Sequence, residues 1–140
     1  DTLRSRGLGD VYKRQKVRKA CAETGRTVRF AMYAAPLCRP TDEAAWAEID
    51  ARLARVDQNL VARRRERVAG GAQGMWGDDE DPLSVIDTNE GYAARFIGSP
   101  DTILERVNVY RELGIEMLHL DLRDELFCSE VLPELQTQAP

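Results

Sequence analysis

Histidine is almost missing from this chain, with one residue in 140, and the three cysteines (Cys21, Cys38 and Cys128) form no C-x-x-C pair. That scarcity argues against a zinc cage and against a disulfide framework. Long apolar runs are missing as well: none approaches the length of a membrane-spanning helix, and the N-terminus lacks the apolar middle of a secretory signal. A basic excess is also lacking, because 20 Lys and Arg face 24 Asp and Glu, for a net charge of −4. Nucleic acid would need a positive face. These absences together lead us to expect a reduced, cytoplasmic protein with neither membrane nor nucleic acid among its partners.

What is present is ordinary globular material, 43% hydrophobic and 31% charged, organised around the stretch from Ala94 to Leu122. Arg95 to Ile97 reads as a short strand. In Gly98-Ser99-Pro100-Asp101, Ser99 can cap a helix, Pro100 suits its first position and Asp101 suits the positive end of its dipole. Ile103, Val107 and Tyr110 follow at helical spacing, Leu104 and Leu113 widen the stripe, and Gly114 stands where a left-handed stop belongs. Ile115 to Leu122 resumes as a strand, which makes a parallel βαβ crossover.

Upstream, Lys16 to Thr24 reads as the last turns of a helix closed by Gly25. Arg26 to Leu37 is rich in strand formers and should end near Ala35, because Pro36 does not suit a central ladder. Thr41 offers a cap for a long amphipathic helix through Ala45, Trp46, Ile49, Leu53, Val56 and Leu60, reaching the arginine run 63–67. That run reads better as a solvated helix end than as a nucleic-acid patch. Residues 66–90 then form an insertion with Met75 and Trp76 as its large apolar side chains, a binding loop, lid or unstructured segment by length. Near the end, Asp124 can cap a last helix with Phe127, Cys128, Val131, Leu132 and Leu135 on its apolar face, followed by a polar tail at 136–140. The order of elements gives an α/β fold with a parallel sheet, doubly wound or a barrel. Three strands would leave bare edges, so we expect the closing part of something larger. Residues 1–15, DTLRSRGLGDVYKRQ, have no hydrophobic period and resemble translated adaptor sequence. We expect them to be a non-native tail ahead of a domain at 16–135.

Three stretches resemble the luciferase-like flavin monooxygenases, alkanesulfonate monooxygenases among them. They are Thr24 to Phe30, Arg39-Pro40-Thr41-Asp42-Glu43-Ala44-Ala45-Trp46, and Ala94 to Gly114, the last similar to the family's strand, Gly-[Ser/Thr/Asp]-Pro turn and helix signature. The resemblance implies the C-terminal portion, about strands six to eight with their helices, of a TIM (β/α)₈ barrel. It further implies reduced flavin mononucleotide (FMN) supplied by a flavin reductase, O₂ as co-substrate, and oxidation of a small organic substrate, organosulfur compounds included, in a homo-oligomeric full-length enzyme, with this portion alone inactive. Some relatives use the deazaflavin F420 for hydride transfer instead. A different class of reading is a small self-standing, non-enzymatic α/β module.

In a barrel, chemistry sits at the carboxyl ends of the strands. On the last strand Met117, His119, Asp121 and Arg123 share one face, and Leu118, Leu120 and Leu122 the other. The leucines should meet the helices, which turns the polar set inward. An imidazole with a carboxylate two residues away could orient substrate or move a proton, and a purely structural hydrogen-bond network is the plainer alternative. Where alkanesulfonate monooxygenases place an arginine and a histidine, this chain has Tyr33 and Ala35, which makes a neutral substrate a better expectation than a sulfonate. Tyr33 could hydrogen-bond to it, or simply pack. Gly98 and Ser99 could hold a cofactor phosphate at the helix start, though a helix cap alone explains them. Asn89, Glu90 and Tyr92 could reach the mouth from the insertion.

Overall fold

The computed structural model describes residues 2–69, 82–86 and 91–138. Around Pro36 the chain forms a central extended ribbon made of β1 (Ala31–Ala34) and β2 (Leu37–Cys38). Two parallel partners flank it: β3 (Ile97–Gly98) pairs with β2, and β4 (Met117–Leu120) pairs with β1. A single peptide shows that they lie on opposite edges. The Ala34 carbonyl accepts from the Asp121 N–H at 3.0 Å, while the Ala35 N–H donates to the Gly91 carbonyl at 3.0 Å. In a trans peptide those two groups point in opposite directions.

The ribbon therefore separates β3 from β4, whereas successive strands of a barrel lie side by side. Helices cover both faces of the β2 and β3 pair, while the β1 and β4 pair is covered on one. Met32, Ala34, Cys38, Phe96, Leu118 and Leu120 pack with α4 (Pro100–Glu112) and the C-terminal helix. Leu37 and Ile97 on the other face pack with Ala45 and Ile49 of α2 (Asp42–Ala54). The α/β class and the parallel strands are as expected.

Local chemistry explains most element ends. Thr41 caps α2 by accepting the Ala44 N–H at 3.2 Å. Ser99 caps α4 by accepting from Thr102 N, with Pro100 at the first position. At its far end the Gly114 N–H donates to Arg111 and the Ile115 N–H to Tyr110, with Gly114 at φ 89°, the paired bonds of a Schellman stop.

Four expectations need correction. The long helix is two, α2 and α3 (Gln58–Ala69), because the Asp57 side chain accepts the Asn59 N–H at 2.8 Å and starts a new helix. The ribbon continues past Pro36 because the missing N–H faces the edge where β4 has already ended. The third strand begins at Ile97 rather than Arg95, since Arg95 adopts φ 58° after the turn Gly91–Ala94 and its guanidinium bonds the Tyr92 carbonyl. Leu122 lies beyond β4 and is 52% exposed instead of meeting the helices. The last helix begins at the Asp124 cap, passes through a π turn at Phe127–Val131 and ends as α5 (Leu132–Thr137). Pro133 can give no N–H to Ser129 and would press on its carbonyl in a regular helix, which explains the wider turn.

At the N-terminus α1 (Thr2–Thr24) runs unbroken across residue 15, and Arg14 and Arg18 both lie over the Phe30 ring. Met75, Trp76, Asn89 and Glu90, and with them most of the expected insertion, lie outside the described residues. No helix among the described residues is long and apolar enough to cross a membrane.

Candidate functional site

The parallel register of β1 and β4 sets Tyr33 opposite His119. Their rings meet edge to face, with centroids 5.4 Å apart and planes at 68°. Because side chains alternate along a strand, the same register that sends Leu118 and Leu120 into the core turns Met117 and His119 to the opposite, exposed face. The expected division of this strand into an apolar and a polar face therefore holds over Met117–Leu120. Just past the strand, Asp121 accepts from Arg123 through Nε at 2.8 and 2.9 Å, from its backbone N–H at 3.1 Å, and from Nη2. The Arg123 side-chain bonds, ahead of burial acting the other way, hold the Asp121 carboxyl below the usual carboxylate range. Arg123 is raised in turn, chiefly by Asp121 and slightly by Tyr33 and Tyr92. Tyr33, His119, Asp121 and Arg123 thus belong to one neighbourhood.

Gly98 and Ser99 stand apart from it. Their helix start already holds an anion, the Asp42 carboxylate from the first turn of α2. Asp42 Oδ1 accepts the Ser99 N–H at 2.7 Å and Oδ2 accepts the Thr102 hydroxyl at 2.9 Å. Those two donors hold the Asp42 carboxyl below its ordinary range. Gly98 sits at φ 146°, and a Cβ there would come within 2.5 Å of Asp42 Oδ1. Glycine is required for that approach. Tyr92 turns away from the exposed face as well: it is buried, and its hydroxyl accepts from Arg52.

A network that the sequence reading did not identify as a site ties the strand ends together. Asp124, with a side chain only 6% exposed, accepts from Cys38 N at 3.1 Å and Arg39 Nη1 at 2.9 Å through Oδ2, and from Phe127 N at 2.9 Å through Oδ1. Arg39 also pairs with Glu48 at 2.6 Å, and Glu48 with Arg52 at 2.5 Å. Burial favours the neutral acid at Glu48, but the bonds from Arg52 and Arg39 outweigh it and its pKa falls. Burial, with the Asp124 charge behind it, pushes the Cys38 thiol up to about 11. An available signal was Arg39 itself, inside a motif quoted above for its helix start alone. Beside the network lies a groove of about 700 Å³ between the turn 38–40 and residues 123–126 with Ser129.

A flavin nucleotide needs a place for its phosphate. The α4 terminus does not take it, since the Asp42 carboxylate already holds the donors there. Among the described residues, no group of three or more His, Cys, Asp or Glu could hold a metal ion.

The family model for luciferase-like monooxygenases matches residues 12–117. Tyr33, Gly98 and Ser99 fall inside that stretch, while His119, Asp121 and Arg123 follow it within six residues. With about three quarters of its length matched, the chain belongs to the luciferase-like monooxygenase family.

Proposed function

We propose that this chain forms the C-terminal strands, about six to eight, of a flavin-dependent monooxygenase barrel. The enzyme uses reduced FMN and O₂ to oxidise a small organic substrate, organosulfur compounds included. The observation that carries this reading is the uncovered face of the β1 and β4 pair. Parallel strands are normally covered on both sides, yet here one side holds Met117, His119 and Tyr33 exposed or half-buried while the other is core. Further strands closing a barrel would turn that face into its lining, with Asp121 and Arg123 at the carboxyl end where barrel enzymes work.

His119 is the group that holds or moves a proton, and the edge contact with Tyr33 orients its ring. Asp121 keeps Arg123 at the strand end. Gly98 and Ser99 serve as helix cap and close packing for Asp42, so the flavin phosphate is held by residues upstream. A flavin reductase supplies the reduced cofactor, and the full-length enzyme is a cytoplasmic homo-oligomer.

The test is a polypeptide extended upstream to eight strands, assayed for FMN binding by fluorescence and for O₂ consumption with reduced FMN, with F420 in parallel. Binding and O₂ uptake with FMN are expected. Reduction of F420 alone would move the enzyme to deazaflavin hydride transfer, and inactivity with both cofactors would end the reading.

A further inference from the structure

We infer that the basic helix α1 docks on a second copy of this chain, seating its lysines on the acidic outer ridge of that copy's α4. The charge is divided along the sequence. Residues 1–29 hold nine Lys and Arg against three Asp and Glu, while residues 30–140 hold eleven against twenty-one. The overall −4 is therefore +6 at the start and −10 beyond it. A nucleic acid would be repelled by the −10 while drawn to the +6, so the complement that fits is the acidic remainder of another copy.

The two surfaces can be named. α1 presents no distinct apolar face, and a helix polar all round draws on charged contacts rather than on packing. Arg14 and Arg18 hold it to the body: both lie over Phe30 and reach Gly114, at the negative end of the α4 dipole. At about 3.6 residues per turn, Lys16 and Lys19 fall on the side away from those arginines. Both are exposed, with Lys16 over the Tyr12 ring. On α4 the same period sets Asp101, Glu105 and Glu112, with Asn108 among them, on the side away from the buried Ile103 and Val107. All three acids are exposed. None of these five charges has an ion-pair partner among the described residues. The exposed Tyr12 and Val109 adjoin the two ridges and add an apolar component. Because α1 meets the carboxyl end of α4 within one copy, a two-fold axis beside that meeting lays each α1 on the other copy's α4, and the contact is made twice.

The experiment is sedimentation velocity on the 140-residue chain at about 20 mM and about 500 mM NaCl. A dimer is expected at low salt, with Kd at least about tenfold weaker at high salt. Lys16→Glu/Lys19→Glu and Glu105→Lys/Glu112→Lys, surface changes whose folding circular dichroism checks, should each leave a monomer at low salt. Mixed in equal amounts, the two variants should pair with each other, because both copies of the contact then join opposite charges. A native chain that is monomeric at low salt overturns the inference, and so does a mixture that stays monomeric. Association that survives high salt and both reversals also overturns it, and would belong to the uncovered face of β1 and β4. None of these results bears on flavin binding by the eight-strand polypeptide, so the two readings fail separately.

Discussion

Replacing Asp42 probes the contact that joins α2 to the start of α4. Its carboxylate accepts one backbone N–H at 2.7 Å and one hydroxyl at 2.9 Å. Hydrogen bonds to a charged acceptor contribute about 1.5 kcal/mol each at the low end, the fitting end for a half-exposed group. Asp42→Ala should therefore cost about 3 kcal/mol, and Asp42→Asn, which keeps one acceptor oxygen, about half of that. With a urea slope of about 2 kcal/mol/M, the alanine variant should unfold about 1.5 M earlier. The pH dependence carries a sign. Because the folded pKa is depressed, the stabilisation is complete above the unfolded value of about 3.9 and is lost as pH falls through the folded value. Asp42→Asn should remove that part of the acid sensitivity. Gly98→Ala adds a second check: its Cβ would strike Asp42 Oδ1, so it should cost less in the Asp42→Ala background than in the native chain, by about 1 kcal/mol or more. An Asp42→Ala midpoint within 0.3 M of the native one, or strict additivity with Gly98→Ala, would refute the reasoning.

Asp124→Ala leaves Arg39 and two backbone N–H groups without their acceptor, and should cost about 3 to 5 kcal/mol by urea unfolding; a loss under 1 kcal/mol would show that the network is not a hub. Cys38, pushed up to about 11, should resist iodoacetamide at pH 8 in the folded chain while Cys21 and Cys128 react; intact mass with and without denaturant reads the difference. Ser99→Ala removes the α4 cap and should cost about 1 kcal/mol, visible as a lower urea midpoint.

What could be read from the sequence was local or periodic. Thr41, Ser99 with Pro100, and Gly114 mark helix ends through bonds within a few residues, and each does so in the structure. The alternation of leucines with Met117 and His119 likewise placed core and open face on the correct sides of β4. Contacts between distant segments left no such trace. Asp42 lies 57 residues from Ser99, and Arg39 lies 85 from Asp124, so nothing in the spacing announces either bond. The break at Asp57 was hidden for a different reason: the apolar stripe runs on through Val56 and Leu60, and a short side-chain turn overrides it. Strand order was also out of reach, because it depends on which edge β4 finds free.

The most direct test of the account is the O₂-dependent oxidation rate of a neutral thioether by the eight-strand polypeptide with reduced FMN, compared between the native sequence and His119→Ala at matched circular dichroism. Proton transfer by a positioned side chain contributes at least about a hundredfold, so the variant should lose activity on that scale while still binding flavin. An unchanged oxidation rate in His119→Ala would contradict the assignment of this face to the chemistry.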